Sequence, residues 1–485
     1  MATVPTPDTT SHAPEEPLSF RGLRVGVVGL GIEGLDTVRF LHEEGAAEII
    51  VSDHRDADAL GERLEALRDI PIHLCTNDPA LAARVDVLFV SQGIPNSLPL
   101  IQAAQDRGLP VTAMMRHFLR RCPVPVIGIT GSAGKTTTTT LVGDMFRANE
   151  RRVFVGGNIG NGLLSGLSQI ATGTDVVLEI SHTQLVRTDR SPHLAAVLNI
   201  TPNHLDQFSW DDYVDLKRNL VRHQSPSDIV VLPTENDVAA SLAADTPAKV
   251  VHFGRTRFDG GGATIESDRI VWRDETGSID ICAVDEISIP GDHNLLNVLA
   301  AVAIAGAWGL TPPRIAATIR AFQGVNHRLQ TVAEVHGIRY IDDSIATAPE
   351  RTVASLRSLD QPVVLLLGGR EKTLPLDLLA REAQKRCRAI VCFGEAKTVF
   401  ADGIKAIWAQ DSDTPPVHIV DDLSAAVTSA TRLAERGDAV LLAPAGTSFD
   451  AYANFEARGD HFAALARQQG RSGSDTKTGG TDGAD

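Results

Sequence analysis

Three open α/β domains in succession are the architecture this sequence predicts, and three observations carry the prediction. The chain has 485 residues, which at roughly 100–200 residues per domain allows about three, each able to bury its own core. From residue 19 to residue 470, short apolar runs alternate with amphipathic stretches, the pattern of strands alternating with helices around parallel sheets. Hydrophobic residues at 43% and charged residues at 22% are the balance of a folded globular chain.

The first unit, residues 19–121, opens with Leu23–Gly31 (LRVGVVGLG) and passes through a helix near Leu35–Glu44. Strand-like runs follow at Ala47–Asp53, Ile70–Cys75 and Val85–Ile94, and LPVTAM near Leu109 closes it. The second unit, residues 122–325, begins with Val124–Thr130 (VPVIGIT), an uninterrupted apolar run of the kind buried on both faces of a parallel sheet. Further runs lie at Asp175–Ile180, Leu194–Ile200 and Asp228–Leu232, and the Ala-rich stretch Asn294–Gly309 predicts a buried helix. The third unit, residues 326–470, carries strands at Pro362–Gly369, Arg388–Gly394 and Asp438–Gly446. Residues 1–18 and 471–485 are polar, rich in Pro, Thr, Gly and Asp, and are expected to be disordered tails. Ligands of open α/β sheets bind beyond the carboxyl ends of the strands, so functional residues are sought there.

Charge narrows the partners. Lys and Arg number 45 against 61 Asp and Glu, a formal net charge of −16, which argues against nucleic acid or an anionic membrane surface as partner. An anionic small molecule must then be held by helix N-termini, backbone nests and single basic residues. The five cysteines form neither a disulfide framework nor a metal motif, and are expected to be reduced and mostly buried. No signal-peptide pattern and no apolar run of roughly 18 residues is present. The expectation is a cytoplasmic monomer acting on small molecules.

The sharpest motif is Thr130–Thr137 (TGSAGKTT), between a buried-type strand and a helix. Gly131 and Gly134 let the N–H groups of the loop through Ser132 and Ala133 turn inward as an anion nest. Lys135 brings a charge to the terminal phosphates, and the Thr136 hydroxyl, followed by Thr137, suits Mg²⁺. Ile129 stands where the strict pattern has its first glycine, so this is a P-loop variant. A glycine turn without chemistry is the bland alternative, and the strand–loop–helix context disfavours it. The second motif is GLGIEG (Gly29–Gly34), with Asp53 ending the next strand. It reads as a dinucleotide fingerprint with Asp53 on a ribose, or as any phosphate held on a helix N-terminus. An NAD-dependent oxidoreductase is therefore an alternative, but it leaves the P-loop unused. Glu179 ends a strand, and His204 and Asp206 follow another, so both sites belong at the edge where the P-loop would hold phosphate, and a carboxylate and an imidazole there suit Mg²⁺. Lys217 alone reads as a solvated helical lysine. Asn294 suits an N-cap.

Together, Thr130–Thr136, Gly156–Gly160 (GGNIG), Leu178–Leu185 (LEISHTQL), Asn199–Asp206 (NITPNHLD), Tyr213–Lys217, Gly291–Asn297 (GDHNLLN) and His327-Arg328 resemble the ATP-dependent Mur ligases over essentially residues 19–470. Gly368–Lys372 (GGREK) and Ala443–Phe462 (APAGTSFDAYANFEARGDHF) narrow the resemblance to the branch that adds D-glutamate to UDP-N-acetylmuramoyl-L-alanine. The resemblance implies a Rossmann-like N-terminal domain for UDP, a central P-loop ATPase-type domain for ATP and a C-terminal Rossmann-like domain for the amino acid. It implies Ile32, Glu33, Asp53, His54, Arg55 and Gly93 near UDP, with Asn158 and His204 further along the substrate. Around ATP it implies Gly131 to Thr137, Asn294, Asn297 and Arg328. Two Mg²⁺ ions are implied, one on Thr136 and Glu179 and one on His204 and a carbamylated Lys217, with Mn²⁺ as the other possible ion. Thr347, Lys372, Ser448 and Phe455 are implied around glutamate.

The implied chemistry is phosphorylation of the substrate's terminal alanine carboxylate, then attack of the glutamate amine on the acyl phosphate, with ADP and phosphate as products. Three departures bear on the acceptor. Asp342–Glu350 (DDSIATAPE) has Ile345 where many members have a lysine, and Pro349 follows; Gly446 replaces a usual cysteine; Ser181-His182-Thr183 replaces Ser-Ser-Phe. L-glutamate is accordingly the alternative acceptor.

Overall fold

The central strands of this protein are short aliphatic runs buried on both faces, as parallel strands covered by helices on either side require. The structure, a computed structural model, describes residues 19–159, 162–203, 208–289, 291–371, 374–409 and 411–470. The tails expected at 1–18 and 471–485 lie outside the described residues. The chain divides into two compact units, Met1–Phe322 and Gln323–Asp485, the first holding two sheets and the second one.

The first sheet comprises β1 (Arg24–Val28), β2 (Glu48–Ser52), β3 (His73–Cys75), β4 (Val87–Val90) and β5 (Val111–Thr112), all parallel in the order β3-β2-β1-β4-β5. The strand order reverses between β1 and β4, and ligand crevices form at such switch points. The second sheet has nine strands: β6 (Val126–Thr130), β7 (Arg152–Gly157), β8 (Thr174–Glu179), β9 (Leu194–Val197), β10 (Ile229–Pro233), β11 (Lys249–Phe253), β12 (Gly262–Glu266), β13 (Arg269–Asp274) and β14 (Gly277–Ala283). Its order is β14-β13-β12-β11-β10-β9-β6-β8-β7, parallel except for the antiparallel pairs β12–β13 and β13–β14. The sequence reading does not find β11 to β14; β14 is largely solvent-exposed and lacks a continuous apolar run. The Ala-rich helix is Asp292–Ala307, buried along nearly its whole length.

The third sheet, in the second unit, comprises β15 (Gln330–Val335), β16 (Ile338–Asp342), β17 (Val363–Gly368), β18 (Cys387–Phe393), β19 (Val417–Ile419) and β20 (Ala439–Ala445), in the order β15-β16-β20-β17-β18-β19 with only β15 antiparallel. A cluster of buried side chains covers each of its faces, one through Leu365, Leu367 and Phe400, the other through Leu366, Val391 and Phe462. Each such buried aliphatic side chain contributes about 1.5–3 kcal/mol. All five cysteines are free thiols, but only Cys282 and Cys392 are buried. The expectation of mostly buried thiols is thus corrected: Cys75, Cys122 and Cys387 sit near strand and helix ends at the edges of the cores, where side chains are half-covered.

Candidate active site

In the second sheet β6 lies between β9 and β8, so the loops after these three strands emerge side by side at one carboxyl edge. The loop after β6 is the Gly-Lys-Thr segment. Gly134 caps the helix Lys135–Ala148 at φ 83°, in the left-handed region that favours glycine. A β-carbon at residue 134 would collide with Asn297 Oδ1. Asn297 is buried there against the loop and donates to Asn294 Oδ1 at 3.3 Å, which links the two candidate nucleotide residues. Asn294 is not the N-cap of its helix; Gly291 is, at φ 97°. The loop is braced from the β9 side. Ser132 N–H donates to Asn199 O, Ala133 N–H donates to Asn199 Oδ1, and Ser132 Oγ lies 2.9 Å from the Tyr213 hydroxyl. Lys135 Nζ donates to Gly131 O at 2.9 Å.

Beneath this loop lies the group that the sequence presents as a solvated lysine. Lys217, in the helix Trp210–Arg218, is 1% exposed, and Nζ donates to Thr130 Oγ1 at 2.9 Å and Gly131 O at 3.2 Å. Burial first, then the Lys135 charge, pushes its ammonium well below the ordinary lysine range, against the pull of Glu179. Glu179, at the end of β8, is buried: Oε1 accepts from Asn158 Nδ2 at 2.9 Å, and Oε2 is enclosed with no hydrogen-bond partner among the described residues. A buried carboxylate oxygen left unpaired is costly, and it is suited to a cation. Thr136 stands in the adjoining first helical turn. The residues present therefore fit a hard divalent ion. No group of three His, Cys, Asp or Glu side chains capable of holding a metal occurs among the described residues, and His204 lies outside them.

At the first sheet's carboxyl edge, GLGIEG follows β1, Asp53-His54-Arg55 follows β2 and Gln92-Gly93 follows β4. Asp53 is buried and fully engaged. It accepts from Leu30 N–H at 2.8 Å, from Arg55 N–H at 3.0 Å and from the Arg55 guanidinium at 2.9 Å through two donors. Burial works to raise its carboxyl, but the Arg55 and Leu30 hydrogen bonds outweigh it and hold Asp53 well below the usual range. Asp53 thus organises the glycine loop. His54 is mostly exposed, with Nδ1 3.2 Å from Asp53, and Gly93 adopts φ 81°. Ile32, opening the helix Ile32–Glu44, is 85% exposed.

Glu33, at this same edge, is buried. Its carboxylate accepts from Gln92 N–H at 2.8 Å and Gln184 Nε2 at 3.2 Å, and burial pushes its pKa up. Gln92 Oε1 accepts from the Ser181 and Thr183 hydroxyls. The replacement Ser181-His182-Thr183 therefore serves as a polar seam between the first and second sheets, and Ser181 and Gln184 also form a capping box. Asp36 adds a second clasp, accepting from Leu164 N–H, Ser165 N–H and Ser165 Oγ. Sequence reasoning missed Gln92, Gln184 and Asp36; the capping-box spacing Ser181-x-x-Gln184 was the one available signal.

In the second unit β20 lies between β16 and β17, so the loops after these strands are neighbours. Arg370 and Thr447 bridge two of them through paired backbone hydrogen bonds of 2.9 and 2.8 Å. Thr347 lies in the loop after β16, Ser448 is buried in the loop after β20, and Phe455 begins the helix Phe455–Gln469. The Phe455 ring stands edge-on to His327 at 6.2 Å. Lys372 lies outside the described residues. Arg328 is exposed on a turn whose flanking residues, His327 and Leu329, have φ 59° and 46°, strain of a kind that gathers at functional sites. Pro349 is the first residue of the helix Pro349–Arg357, a position where it is well tolerated. Gly446 has a packing reason, since a β-carbon there would stand 2.6 Å from Gly368 O.

A Rossmann-like sheet, a Gly-Lys-Thr loop over a carboxylate and a buried lysine, and a further α/β unit define an ATP-dependent ligase of the Mur type, and the chain belongs to the Mur ligase family. Family models described as Mur ligase MurD-like N-terminal domain, Mur ligase middle domain and Mur ligase glutamate ligase domain match residues 23–113, 129–305 and 327–446. Within that family the chain is similar to the UDP-N-acetylmuramoylalanine--D-glutamate ligase of Symbiobacterium thermophilum, 38% identical over 448 residues, covering 91% of this chain and 97% of the relative. It is likewise similar to the enzyme of that name from Acetivibrio thermocellus, 36% identical over 449 residues, covering 90% and 95%. Among solved structures, the fold matches the UDP-N-acetylmuramate-alanine ligase MurC of Thermotoga maritima with a TM-score of 0.50 at 17% identity, covering 93% of this chain and all of that one. No helix among the described residues is long and apolar enough to cross a membrane.

Proposed function

We propose that this protein joins D-glutamate to the terminal alanine carboxylate of UDP-N-acetylmuramoyl-L-alanine, consuming ATP and releasing ADP and phosphate, in the cytoplasmic synthesis of peptidoglycan precursors. Relatives named for that reaction align over nearly their whole length. The observation that carries the reading is the pairing of Glu179, with one buried unpartnered oxygen, and Lys217, buried under the P-loop with a depressed pKa.

The UDP group rests at the first sheet's carboxyl edge, with Ile32, His54, Arg55 and Gly93 around it and Asp53 holding the loop. Asn158 and His204 orient the distal part of the substrate. The loop Gly131–Thr137, with Asn294 and Asn297, receives ATP, and Arg328 is a further residue assigned to ATP. Lys135 exchanges its contact with Gly131 O for the transferred phosphoryl group and offsets its charge. The substrate carboxylate attacks the terminal phosphorus, ADP leaves, and the acyl phosphate takes the glutamate amine; the tetrahedral species then expels phosphate. Mg²⁺ would neutralise phosphate charge here, held by Thr136 and Glu179 at one position and by His204 and modified Lys217 at a second, with Mn²⁺ as a substitute. A depressed Lys217 pKa supplies the neutral amine that carbamylation needs: nitrogen bonds to CO₂, a proton leaves, and a cation becomes an anion. Thr347, Lys372, Ser448 and Phe455 hold the glutamate.

Incubation with ATP, Mg²⁺, UDP-N-acetylmuramoyl-L-alanine and hydroxylamine, without glutamate, tests the acyl phosphate. A substrate hydroxamate formed with ADP supports it; ATP hydrolysis without hydroxamate would refute it. L-glutamate remains the second reading, favoured by the loop after β16, where Ile345 replaces a charge.

A further inference from the structure

Arg458 is among the largest side chains in the protein with no solvent exposure. A guanidinium out of water is costly unless its donors are met. Here Nε donates to Ser344 Oγ at 3.0 Å, Nη2 to Ser344 O at 2.9 Å and Nη1 to Gly446 O at 3.2 Å. The Ser344 hydroxyl passes the chain on, donating to Phe455 O at 2.8 Å. None of these acceptors is a carboxylate, and the nearby Asp342 accepts from Ser344 N–H and lies 2.8 Å from His327 Nδ1.

The fork therefore joins backbone to backbone. Ser344 belongs to the loop carrying Thr347, Gly446 to the loop carrying Ser448, and Phe455 begins the helix that presents Arg458 itself. Ala445, beside Gly446, is held at φ 59°, a strained conformation that needs such support. A β-carbon at Gly369 would stand 2.8 Å from Nη1, so the loop after β17 also closes on the guanidinium.

We infer that Arg458 is the positioning residue of the amino-acid pocket: its planar fork sets the spacing of the Thr347 loop, the Ser448 loop and the Phe455 wall, and so sets glutamate affinity without touching glutamate. The inference rests on the proposal that these loops hold the amino acid. Lysine keeps the charge but cannot bridge two loops with a planar fork. Arg458→Lys should raise the KM for glutamate on the order of 100-fold, as misplacement of about 1 Å does, while the KM for ATP stays within about twofold. Ser344→Ala removes one hydroxyl from the same network and should raise the glutamate KM about tenfold, with some loss of melting temperature because Arg458 Nε loses its acceptor. A merely structural arginine would lower the melting temperature and the active fraction and leave KM unmoved. Unchanged glutamate KM in folded Ser344→Ala overturns the inference even if Arg458→Lys fails to fold. Should the wild-type enzyme accept another amino acid instead, the assigned substrate is wrong, and the same shift read on that amino acid still upholds Arg458.

Discussion

Lys217 Nζ donates to Thr130 Oγ1 at 2.9 Å from a position that solvent scarcely reaches. That contact puts an amine whose charged form burial disfavours at the root of the phosphate-binding loop. Lys217→Arg keeps a permanent charge that cannot be carbamylated. Turnover should fall by about 100-fold or more, as when one preorganised electrostatic group is removed. Wild-type protein in ¹³C-bicarbonate should show a carbamate carbon signal that the variant lacks; its absence from wild type would contradict the modification.

Gly134→Ala tests the loop geometry. The new β-carbon meets Asn297 Oδ1, and φ 83° costs an alanine about 1–2 kcal/mol besides. Calorimetry should find ATP binding lost or sharply weakened, whereas UDP-substrate binding persists. Unaltered ATP affinity would remove Asn297 from the nucleotide site.

Glu179→Gln keeps the shape of the side chain and its contact with Asn158 but removes the charge at the unpartnered oxygen. The Mg²⁺ concentration for half-maximal activity should rise about tenfold or more. A metal titration superimposable on that of the wild type would show that Glu179 holds no ion.

Asp343 governs part of the pH dependence of stability. Burial, opposed by hydrogen bonds from Ser355 Oγ and Leu329 N–H, pushes its pKa from 3.8 up to about 6. The unfolded chain then releases this proton at lower pH than the folded chain. The second unit therefore loses stability as pH rises through about 4 to 6, in total on the order of 3 kcal/mol. Relative to wild type, Asp343→Asn should gain stability across that window in denaturant titrations at each pH. Parallel pH profiles would contradict the assignment.

The parts legible in the sequence are those where chemistry dictates residue type over a short span. Thr130–Thr137 was legible as a turn between strand and helix, because an anion nest needs glycine and a following lysine within one turn, and the structure has that strand, that helix and Gly134 at φ 83° between them. Asp53 shows the limit. Its place at the end of β2 was readable, but whether it faces a ribose or Leu30 N–H and Arg55 depends on how two loops meet. The Asp36–Ser165 clasp joins residues 129 apart in sequence, and no local pattern announces it. Lys217 appears on an amphipathic helix like any surface lysine, and only the packing of that helix under the P-loop buries it. The antiparallel strands β12 to β14 escaped notice because an edge ladder needs backbone pairing more than an apolar run.

The most direct test supplies ATP, Mg²⁺ and UDP-N-acetylmuramoyl-L-alanine with D-glutamate or L-glutamate in separate reactions, and follows phosphate release together with the mass of the nucleotide product. The account predicts phosphate and the glutamyl product in equal amounts with D-glutamate, and neither with L-glutamate. Product from the L-isomer alone would contradict the assigned acceptor, and phosphate release with no amide from either isomer would contradict the ligase reaction itself.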